Sequence, residues 1–406
     1  MSFVEDALKF HAEHNGMLAV ASKVPLNNRE DLALAYTPGV AEPCKAIKEN
    51  KELSFEYTCR GNTVAIVSDG TRVLGLGDIG PEAAMPVMEG KAVLFKTFGD
   101  VDAIPICIDT KDPEEIIETV RRLQPAFAGI NLEDFSSPKC YEIEDRLREI
   151  CDIPVFHDDQ HGTAIACLSA VMGALRYVKK DIKDVKVVVN GCGAAGSAIG
   201  RLFVSMGFPN VIMVERVGAL YKGIDVKLDK IQRYLSEVTN PNMEKGTLAD
   251  VAKGADILVG VSGPNLFTKE IIGSMADKAI VFGLANPVPE TSYEAAIAAG
   301  AAVAGRSDSP NQVNNVTVFP GVFRGAIDVR ARAINEEMKV AAVYAIANLI
   351  DEKDLRADYV VPDAFDTRVA PAVAAAVAKA AMGTGVARVK VDPEVVRANA
   401  LKRIGR

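Results

Sequence analysis

Two pairs of neighbouring acids, Glu133-Asp134 and Asp158-Asp159, are the residues whose types and spacing point most directly to chemistry. Each pair follows a short apolar run, AFAGIN or IPVF, that predicts a buried strand. The intervening segment SSPKCYEIEDRLREI has the start signals and periodicity of a helix. Because a strand–helix–strand unit joins parallel neighbouring strands, both pairs are expected at the carboxyl edge of one sheet, where open α/β sheets bind ligands.

The acids predict a site for a hard divalent cation. Like charges in one crevice repel one another unless a cation lies among them. The predicted ligands are oxygen atoms without a thiolate, which favours Mg²⁺ or Mn²⁺ over zinc. His157 and His161 are four residues apart and suggest zinc, but His161 resembles a helix start and the acids are expected closer to the crevice. The simplest alternative is that acids at strand ends are solvated or cap the next helix.

Lys91 is a candidate general base because it lies on the apolar side of a predicted helix over residues 81–98. Its helical neighbours are Ala84, Val87, Met88, Leu94 and Phe95, which are all apolar. Burial penalises the charged form, so the pKa of this lysine is expected to fall from about 10.4 towards neutrality. The alternative is that only the stem is buried and the ammonium group reaches water.

A glycine-rich turn predicts a dinucleotide site. It matches GxGxxG, follows an apolar strand, opens a helix and precedes an acid at the end of the next strand, Glu215. The turn consists of Gly191, Cys192, Gly193, Ala194, Ala195 and Gly196. The pyrophosphate of NAD or NADP would lie on the helix N-terminus. Glu215 favours NAD, since it repels a 2′-phosphate, whereas the adjacent Arg216 leaves NADP open.

The wider pattern predicts an α/β protein with more than one domain. Strands and helices alternate from Thr63 onwards, which is typical of a parallel sheet. We expect a substrate- and metal-binding α/β domain over 1–160 and a Rossmann-type NAD(P)-binding domain over 161–320. Residues 321–406 are predicted to form a largely helical C-terminal segment that packs back on the first domain.

Charge and composition exclude several classes of protein. The net charge of −8 argues against nonspecific nucleic-acid binding, which needs a basic surface. No run approaches the roughly 20 apolar residues that span a bilayer, so no membrane partner is expected. The acidic N-terminus is unlike a signal peptide. Seven cysteines without a CxxC motif suit free thiols in a reducing cytoplasm.

Seven ordered motifs closely resemble those of the malic enzymes: YTPGVAEPC, SDGTRVLGLGDIG, EGKAVLFK, NLEDF, HDDQHGTA, GLANP and NNVTVFPGVFRGA. The likeness covers residues 30–330, and the chain length resembles the small bacterial and archaeal form. This family oxidatively decarboxylates L-malate to pyruvate and CO₂ while reducing NAD(P)⁺. The histidines of HDDQHGTA are a departure, because the larger animal-type enzymes lack them at these places.

The resemblance implies a role for each candidate residue. Tyr36 would be the acid that protonates the enolate, Lys91 the base, and Asp158 the support of the metal site. The implied metal ligands are Glu133, Asp134 and Asp159. The implied malate contacts are Arg72, Asn286, Asn314 and Asn315, with Asn286 also close to the cofactor. A homodimer or a larger homo-oligomer is expected.

Two other functions stay open from the sequence. An amino-acid dehydrogenase also pairs an α/β domain with a Rossmann domain and uses a lysine, but it needs no metal and leaves both acid pairs unexplained. A non-catalytic dinucleotide sensor would bind NAD(H) tightly without turning over any hydroxy acid. The presence of Tyr36, Lys91 and every implied metal ligand argues against a sensor.

Overall fold

A four-stranded parallel sheet organises the N-terminal part of the chain. The computed structural model describes residues 3–306 and 308–405. The strands are β1 (Thr63–Ser68), β2 (Asp102–Cys107), β3 (Gly129–Leu132) and β4 (Val155–His157). Their spatial order is β2–β1–β3–β4, and every pairing is parallel. Strands β1 and β3 are completely buried, which fits their continuous apolar sequences.

Four helices precede this sheet and lie on the protein surface. They are α1 (Phe3–His14), α2 (Arg29–Ala35), α3 (Ala41–Glu49) and α4 (Ser54–Tyr57). None of residues 3–62, all of which the structure describes, is buried. Tyr36 follows the last residue of α2 and ends that helix, so it lies at a turn, as the prolines at 38 and 43 predict.

Three helices connect the strands of the first sheet: α5 (Pro81–Gly99), α6 (Pro113–Leu123) and α7 (Lys139–Ile150). Helix α7 lies between β3 and β4, whose register aligns Ile130 with Val155. The predicted strand–helix–strand unit is therefore present. Glu133 and Asp158 each directly follow the last residue of a strand, so the two acid pairs meet at one edge of the sheet.

A long helix, α8 (Asp158–Val178), leads into a second sheet. Its strands are β5 (Lys186–Asn190), β6 (Asn210–Glu215), β7 (Gly218–Ala219), β8 (Ile257–Gly260), β9 (Ile280–Gly283) and β10 (Val303–Gly305). The order is β10–β9–β8–β5–β6–β7, with only the short β7 antiparallel among the described strands. Strand order reverses between β5 and β8, so the crevice beyond their carboxyl ends is the expected ligand site of this Rossmann arrangement.

The second sheet carries α9 (Ala194–Ser205), α10 (Lys230–Val238), α11 (Leu248–Val251), α12 (Lys269–Gly273) and α13 (Tyr293–Ala298). In the described ranges, no helix is both long enough and apolar enough to cross a membrane. The expected fold class, a parallel α/β domain followed by a Rossmann-type domain, is confirmed.

The last part of the chain forms α14 (Phe319–Asp328), α15 (Glu336–Ala347), α16 (Val369–Gly383) and α17 (Pro393–Ile404). Helix α14 packs on α5, where Phe95 lies 4.6 Å from Phe319 and 5.3 Å from Phe323 between ring centroids. Buried Arg324 donates to Asn62 Oδ1 at 2.6 Å. The C-terminal helices thus contact the helix that carries Lys91.

Candidate active site

Lys91 is held inside the protein by two carboxylates. Its side chain projects from α5, is 8% exposed, and donates from Nζ to Glu133 Oε1 at 2.9 Å and to Asp158 Oδ2. The Phe319 ring covers the ammonium group, with its centroid 4.1 Å from Nζ. The apolar side predicted for this lysine is confirmed, and the alternative in which the ammonium reaches water is wrong.

The expected direction of the Lys91 pKa was wrong. Burial alone lowers the pKa of a lysine, but the charges of Asp158 and Glu133 outweigh it and raise the pKa of Lys91 above its ordinary value. The helical pattern revealed the apolar neighbours of Lys91 within α5. It could not reveal carboxylates that come from 42 and 67 residues further along the chain.

The first acid pair lies in the turn after β3. Glu133 is 7% exposed, and its Oε2 accepts a hydrogen bond from Asn131 Nδ2 at 2.8 Å. Asp134 has a φ of 58°, in the left-handed region that aspartate tolerates better than most residues. Its N–H donates to Asp159 Oδ2 at 2.8 Å, which joins the two acid pairs. Asp134 Oδ2 is buried without a hydrogen-bond partner.

The second acid pair forms the first turn of α8, so the helix begins three residues before the start suggested by His161. Carboxylates are favourable at a helix N-terminus because the helix dipole is positive there. Asp158 is fully buried and also accepts from Asn315 Nδ2 at 3.0 Å. A Cβ at Gly162, one turn further on, would lie 1.9 Å from Asp158 Oδ1. Glycine at 162 therefore leaves the space that the Asp158 carboxylate occupies.

The clustered acids resist ionising together. Burial, followed by the charges of Asp159 and Glu133, raises the pKa of Asp134 to about 9. Burial raises the pKa of Glu133 to about 7, although Lys91 opposes the rise. Asp159 differs: burial would raise its pKa, but the hydrogen bond and charge of His157, with smaller contributions from Lys91 and the Asp134 N–H, outweigh burial and lower it. A cation among these oxygens would relieve their mutual repulsion.

The acids fit a hard cation chemically but are engaged with protein partners. Within residues 3–306 and 308–405, no three His, Cys, Asp or Glu side chains are arranged to hold a metal ion. Glu133 faces Lys91, and Asp159 Oδ2 lies 3.1 Å from His157 Nε2. The unpartnered Asp134 Oδ2 is an oxygen that a divalent cation would satisfy. The predicted zinc alternative gains no support, since His157 and His161 bind carboxylates on different elements.

A cavity of about 1170 Å³ surrounds the glycine-rich turn between β5 and α9. A Cβ at Gly196 would lie 1.9 Å from Gly191 O, which requires glycine for close packing of turn and helix. A Cβ at Gly193 would meet no atom within 4 Å, so protein packing does not explain this glycine, whereas close approach of a pyrophosphate does. Glu215 lines the cavity and accepts from Cys192 N at 3.2 Å, and Arg216 beside it is exposed.

A second cavity, of about 730 Å³, adjoins the acids. It brings together Glu133, Asp134 and Asp159 with the four predicted malate contacts, Arg72, Asn286, Asn314 and Asn315, and with Ala194 and Ala195 of the glycine-rich turn. Arg72, Ser137, Gly193 and Val261 line both cavities. The metal, substrate and dinucleotide residues predicted from the sequence therefore converge on one continuous cleft.

Two family models match this chain. The malic enzyme N-terminal domain matches residues 15–148, and the malic enzyme NAD-binding domain matches residues 160–382.

The chain belongs to the malic enzyme family.

Curated relatives and solved structures of this family cover nearly the whole chain. The bifunctional malic/malolactic enzyme of Bacillus subtilis is 54% identical over 98% of this chain and 97% of its own. The NAD-dependent malic enzyme of Geobacillus stearothermophilus is 53% identical over 92% of this chain and 78% of its own. The crystal structure of malic enzyme from Pyrococcus horikoshii is 44% identical with a TM-score of 0.95, covering 100% of this chain and 96% of that one.

Three of the residues that the malic enzyme resemblance singles out do not line either cavity: Tyr36, Lys91 and Asp158. Lys91 and Asp158 are nevertheless connected to the cavity wall, because Lys91 binds both Asp158 and Glu133. Among the described residues, Tyr36 has no such connection to the cleft.

Tyr36 is 68% exposed at the end of α2. The surrounding segment is also exposed, including Leu34 at 72% and Val20 at 101%. The single chain thus assembles the proposed base and metal ligands but leaves the proposed acid on an apolar surface.

Several residues of the malic enzyme site were missed from the sequence. Asn131 and Gln160 form buried hydrogen bonds around the acids, and Glu144 binds His161 Nε2 at 2.7 Å. Buried Glu290 accepts from Ser262 N at 2.7 Å and Ala285 N at 3.0 Å, so it fixes the backbone next to Asn286. The sequence offered one signal for such residues, a polar side chain within an otherwise apolar strand. Asn131, at the end of the apolar run AFAGIN, is the clear case.

Proposed function

We propose that this malic enzyme oxidatively decarboxylates L-malate to pyruvate and CO₂ with reduction of NAD(P)⁺ in the cleft between the two sheets. The observation that carries the proposal is the shared lining of the two cavities by Arg72, Ser137, Gly193 and Val261. A malate bound beside the acids would lie next to a nicotinamide extending from the glycine-rich turn. Hydride transfer needs such direct contact between substrate and cofactor.

We infer that Mg²⁺ or Mn²⁺ binds between Glu133, Asp134 and Asp159. The all-oxygen donor set and the buried, unpartnered Asp134 Oδ2 support this assignment. When bound, the ion would act as a Lewis acid on the substrate's oxygen atoms. The chain's own carboxylates would then serve to bind and orient, and burial of the cluster would exclude water.

Proton removal is assigned to Lys91 and Asp158 acting as a pair. Burial raises the pKa of Asp158; it would lower that of Lys91, but the charges of Asp158 and Glu133 outweigh it and hold the proton on Nζ. Nζ would pass one proton to Asp158 Oδ2 and take the proton of the malate hydroxyl. Asn315, which donates to the same Asp158 oxygen at 3.0 Å, holds the carboxylate in place.

Substrate carboxylates are assigned to Arg72, Asn286 and Asn314. The exposed Arg72 side chain borders both cavities, and its backbone N–H donates to Asp134 O at 2.9 Å. This bond ties the position of Arg72 to the proposed metal ligand. Asn314 caps the turn before Val316, so its side chain is oriented at the cavity wall.

The assembly is proposed to be a homodimer in which Tyr36 of one copy completes the cleft of the other. Two observations support it: the exposed apolar side chains of residues 3–57 and the position of Tyr36 outside its own cleft. A second copy covering this surface would bury the apolar side chains. Tyr36 would then deliver a proton to the enolate left by decarboxylation.

A cytoplasmic location is proposed from the cysteines. All seven are free thiols, and three of them, Cys140, Cys167 and Cys192, are deeply buried. A reducing compartment preserves such thiols.

The proposed reaction is tested by following reduced-nicotinamide absorbance with L-malate, Mn²⁺ and either NAD⁺ or NADP⁺, with and without EDTA. Reduction that EDTA abolishes, with pyruvate as product, is the expected result. Persistent oxaloacetate would indicate a plain malate dehydrogenase, and absence of reduction with both cofactors would favour the dinucleotide sensor. Reduction of an amino-acid substrate that EDTA leaves unchanged would favour the amino-acid dehydrogenase.

A further inference from the structure

A chain of hydrogen bonds runs from the dinucleotide helix α9 to the proposed metal ligand Asp159. Arg201 on α9 donates from Nη2 to Gln160 Oε1 at 2.9 Å. Gln160 Nε2 lies 2.9 Å from Glu144 Oε2 and 2.8 Å from His157 Nδ1. His157 Nε2 lies 3.1 Å from Asp159 Oδ2. His157 and Gln160 are fully buried, so water does not compete for these bonds.

The partners of Gln160 fix the direction of its hydrogen bonds. Arginine only donates and an ionised carboxylate only accepts, so Arg201 and Glu144 together set the orientation of the Gln160 amide. Both N–H groups of Gln160 are then donated, one to Glu144 and one to His157. The Nε2–H of His157 faces the Asp159 carboxylate, which can only accept, while Nδ1 lies against the Gln160 amide. One Asp159 oxygen thus receives two donors, the imidazole and the Asp134 N–H.

The two ends of the chain lie in different ligand sites. Helix α9 begins after Gly193, where the pyrophosphate is expected, and Asp159 lines the cavity that holds the other acids. We propose that Arg201, Gln160 and His157 are positioning residues that hold the Asp159 carboxylate and couple dinucleotide binding on α9 to metal binding. The proposal rests on the metal site assigned above. The proposed coupling is favourable, because a carboxylate already held in place costs less to order when the metal binds. Since coupling is reciprocal, bound metal would strengthen dinucleotide binding by the same factor.

The Asp159 end is tested by Mn²⁺ binding without substrate, measured from the electron paramagnetic resonance signal of free Mn²⁺. We expect His157→Phe to raise the Kd for Mn²⁺ about 10- to 100-fold, the usual effect of removing a partner behind a metal ligand. His157→Gln restores an N–H donor and should recover most of the affinity. A merely structural role would not distinguish these two variants in this way once both are shown to be folded by circular dichroism.

The Arg201 end is tested by repeating the Mn²⁺ titration with saturating NAD⁺. In the wild type, NAD⁺ should lower the Kd for Mn²⁺, and in Arg201→Met this effect should disappear. The matched control is Arg176→Met, which removes another partly buried arginine that binds the backbone carbonyls of Ala347 and Ile350 from the far end of α8. It should retain the wild-type response to NAD⁺.

The results distinguish an error in the role given to the hydrogen-bond chain from an error in the metal assignment. The role of the hydrogen-bond chain is overturned, and the metal assignment stands, if the wild type binds Mn²⁺ but neither variant differs from it. That means an unchanged Kd for Mn²⁺ in folded His157→Phe and an unchanged NAD⁺ effect in Arg201→Met. If the wild type binds no Mn²⁺, the metal assignment is overturned, and the role of the hydrogen-bond chain with it. If His157→Phe does not fold, Arg201→Met decides, because it alters a side chain that is only partly buried.

Discussion

The two residues proposed to move protons in this enzyme lie in opposite surroundings. Lys91 is 8% exposed and contacts two carboxylates and an aromatic ring, whereas Tyr36 is 68% exposed. The Lys91 region is completed by three separate stretches of the same chain, at Glu133, Asp158 and Phe319. Tyr36 belongs to the segment 3–62, in which no residue is buried.

This difference follows from the cost of burying charge. A buried ammonium group needs its counter-charges in place whenever the protein is folded, because an unpaired buried charge is strongly destabilising. Those partners are therefore supplied within one chain. A tyrosine hydroxyl is neutral and can remain on the surface until another element covers it. The buried half of the site, which consists of Lys91 and its carboxylate partners, is thus formed in a single chain. The exposed half, which consists of Tyr36 and its surroundings, is available for assembly with a second copy.

Lys91→Ala should break the buried half most severely. Loss of the proton acceptor is expected to lower turnover of malate by about 10⁴-fold, while the exposed dinucleotide cavity should bind NADH as in the wild type. The comparison variant is Lys96→Ala on the same helix, whose exposed ammonium binds Asp100 and Asp102 instead. Near-normal turnover by folded Lys91→Ala would remove this residue from the mechanism.

Tyr36→Phe should lower pyruvate formation by about 10²-fold, with a smaller effect on the hydride-transfer step. Mixing it with Lys91→Ala under conditions that exchange subunits tests whether the acid acts across the dimer. In a two-fold dimer with the acid supplied by the partner, one site of each mixed dimer is intact, so about a quarter of wild-type activity should return.

The control for that experiment is each variant mixed with itself, which should regain nothing. If Tyr36 acts within its own chain, the mixture of the two variants stays as inactive as its components, even when subunit exchange is verified. That result would reverse the comparison, since both halves of the site would then be formed by one chain.

Much of the buried half could be predicted from the sequence, because it depends on local periodicity. Strand ends placed the two acid pairs at one edge of the sheet, and helical spacing placed Lys91 on an apolar side. The sign of the Lys91 pKa shift could not be predicted, since it depends on contacts between residues far apart in sequence. The Arg201–Gln160 bond was hidden for the same reason. The position of Tyr36 relative to a cleft depends on packing of whole segments, which no local pattern encodes.

Gly162→Ala tests how tightly the buried half is positioned. The new Cβ would lie 1.9 Å from Asp158 Oδ1, so the carboxylate must move and weaken its hold on Lys91. Turnover should fall by about 10²-fold, as expected for a displacement near 1 Å among reacting groups. Gly90→Ala is the matched control, because its Cβ would meet no atom closer than 3.7 Å in helix α5. Equal activity of the two variants would show that Asp158 has room to adjust.

Asp134→Asn should change the stability of the metal-free protein very little. Any loss of stabilisation by Mn²⁺ in this variant can therefore be assigned to metal binding. Burial and the neighbouring acids raise the pKa of the Asp134 carboxyl to about 9, so at neutral pH the group must take up a proton on folding. A neutral amide avoids this cost, so the Tm of the variant in EDTA should be unchanged or slightly higher. The wild type should gain about 2.7 kcal/mol of stability with Mn²⁺ at 100 times its Kd, and the variant should lose most of this gain. Differential scanning calorimetry with EDTA and with Mn²⁺ measures both effects. An equal Mn²⁺-induced rise in Tm for the two proteins would exclude Asp134 as a ligand. It would also mean that the orphaned Asp134 oxygen needs another explanation than a bound cation.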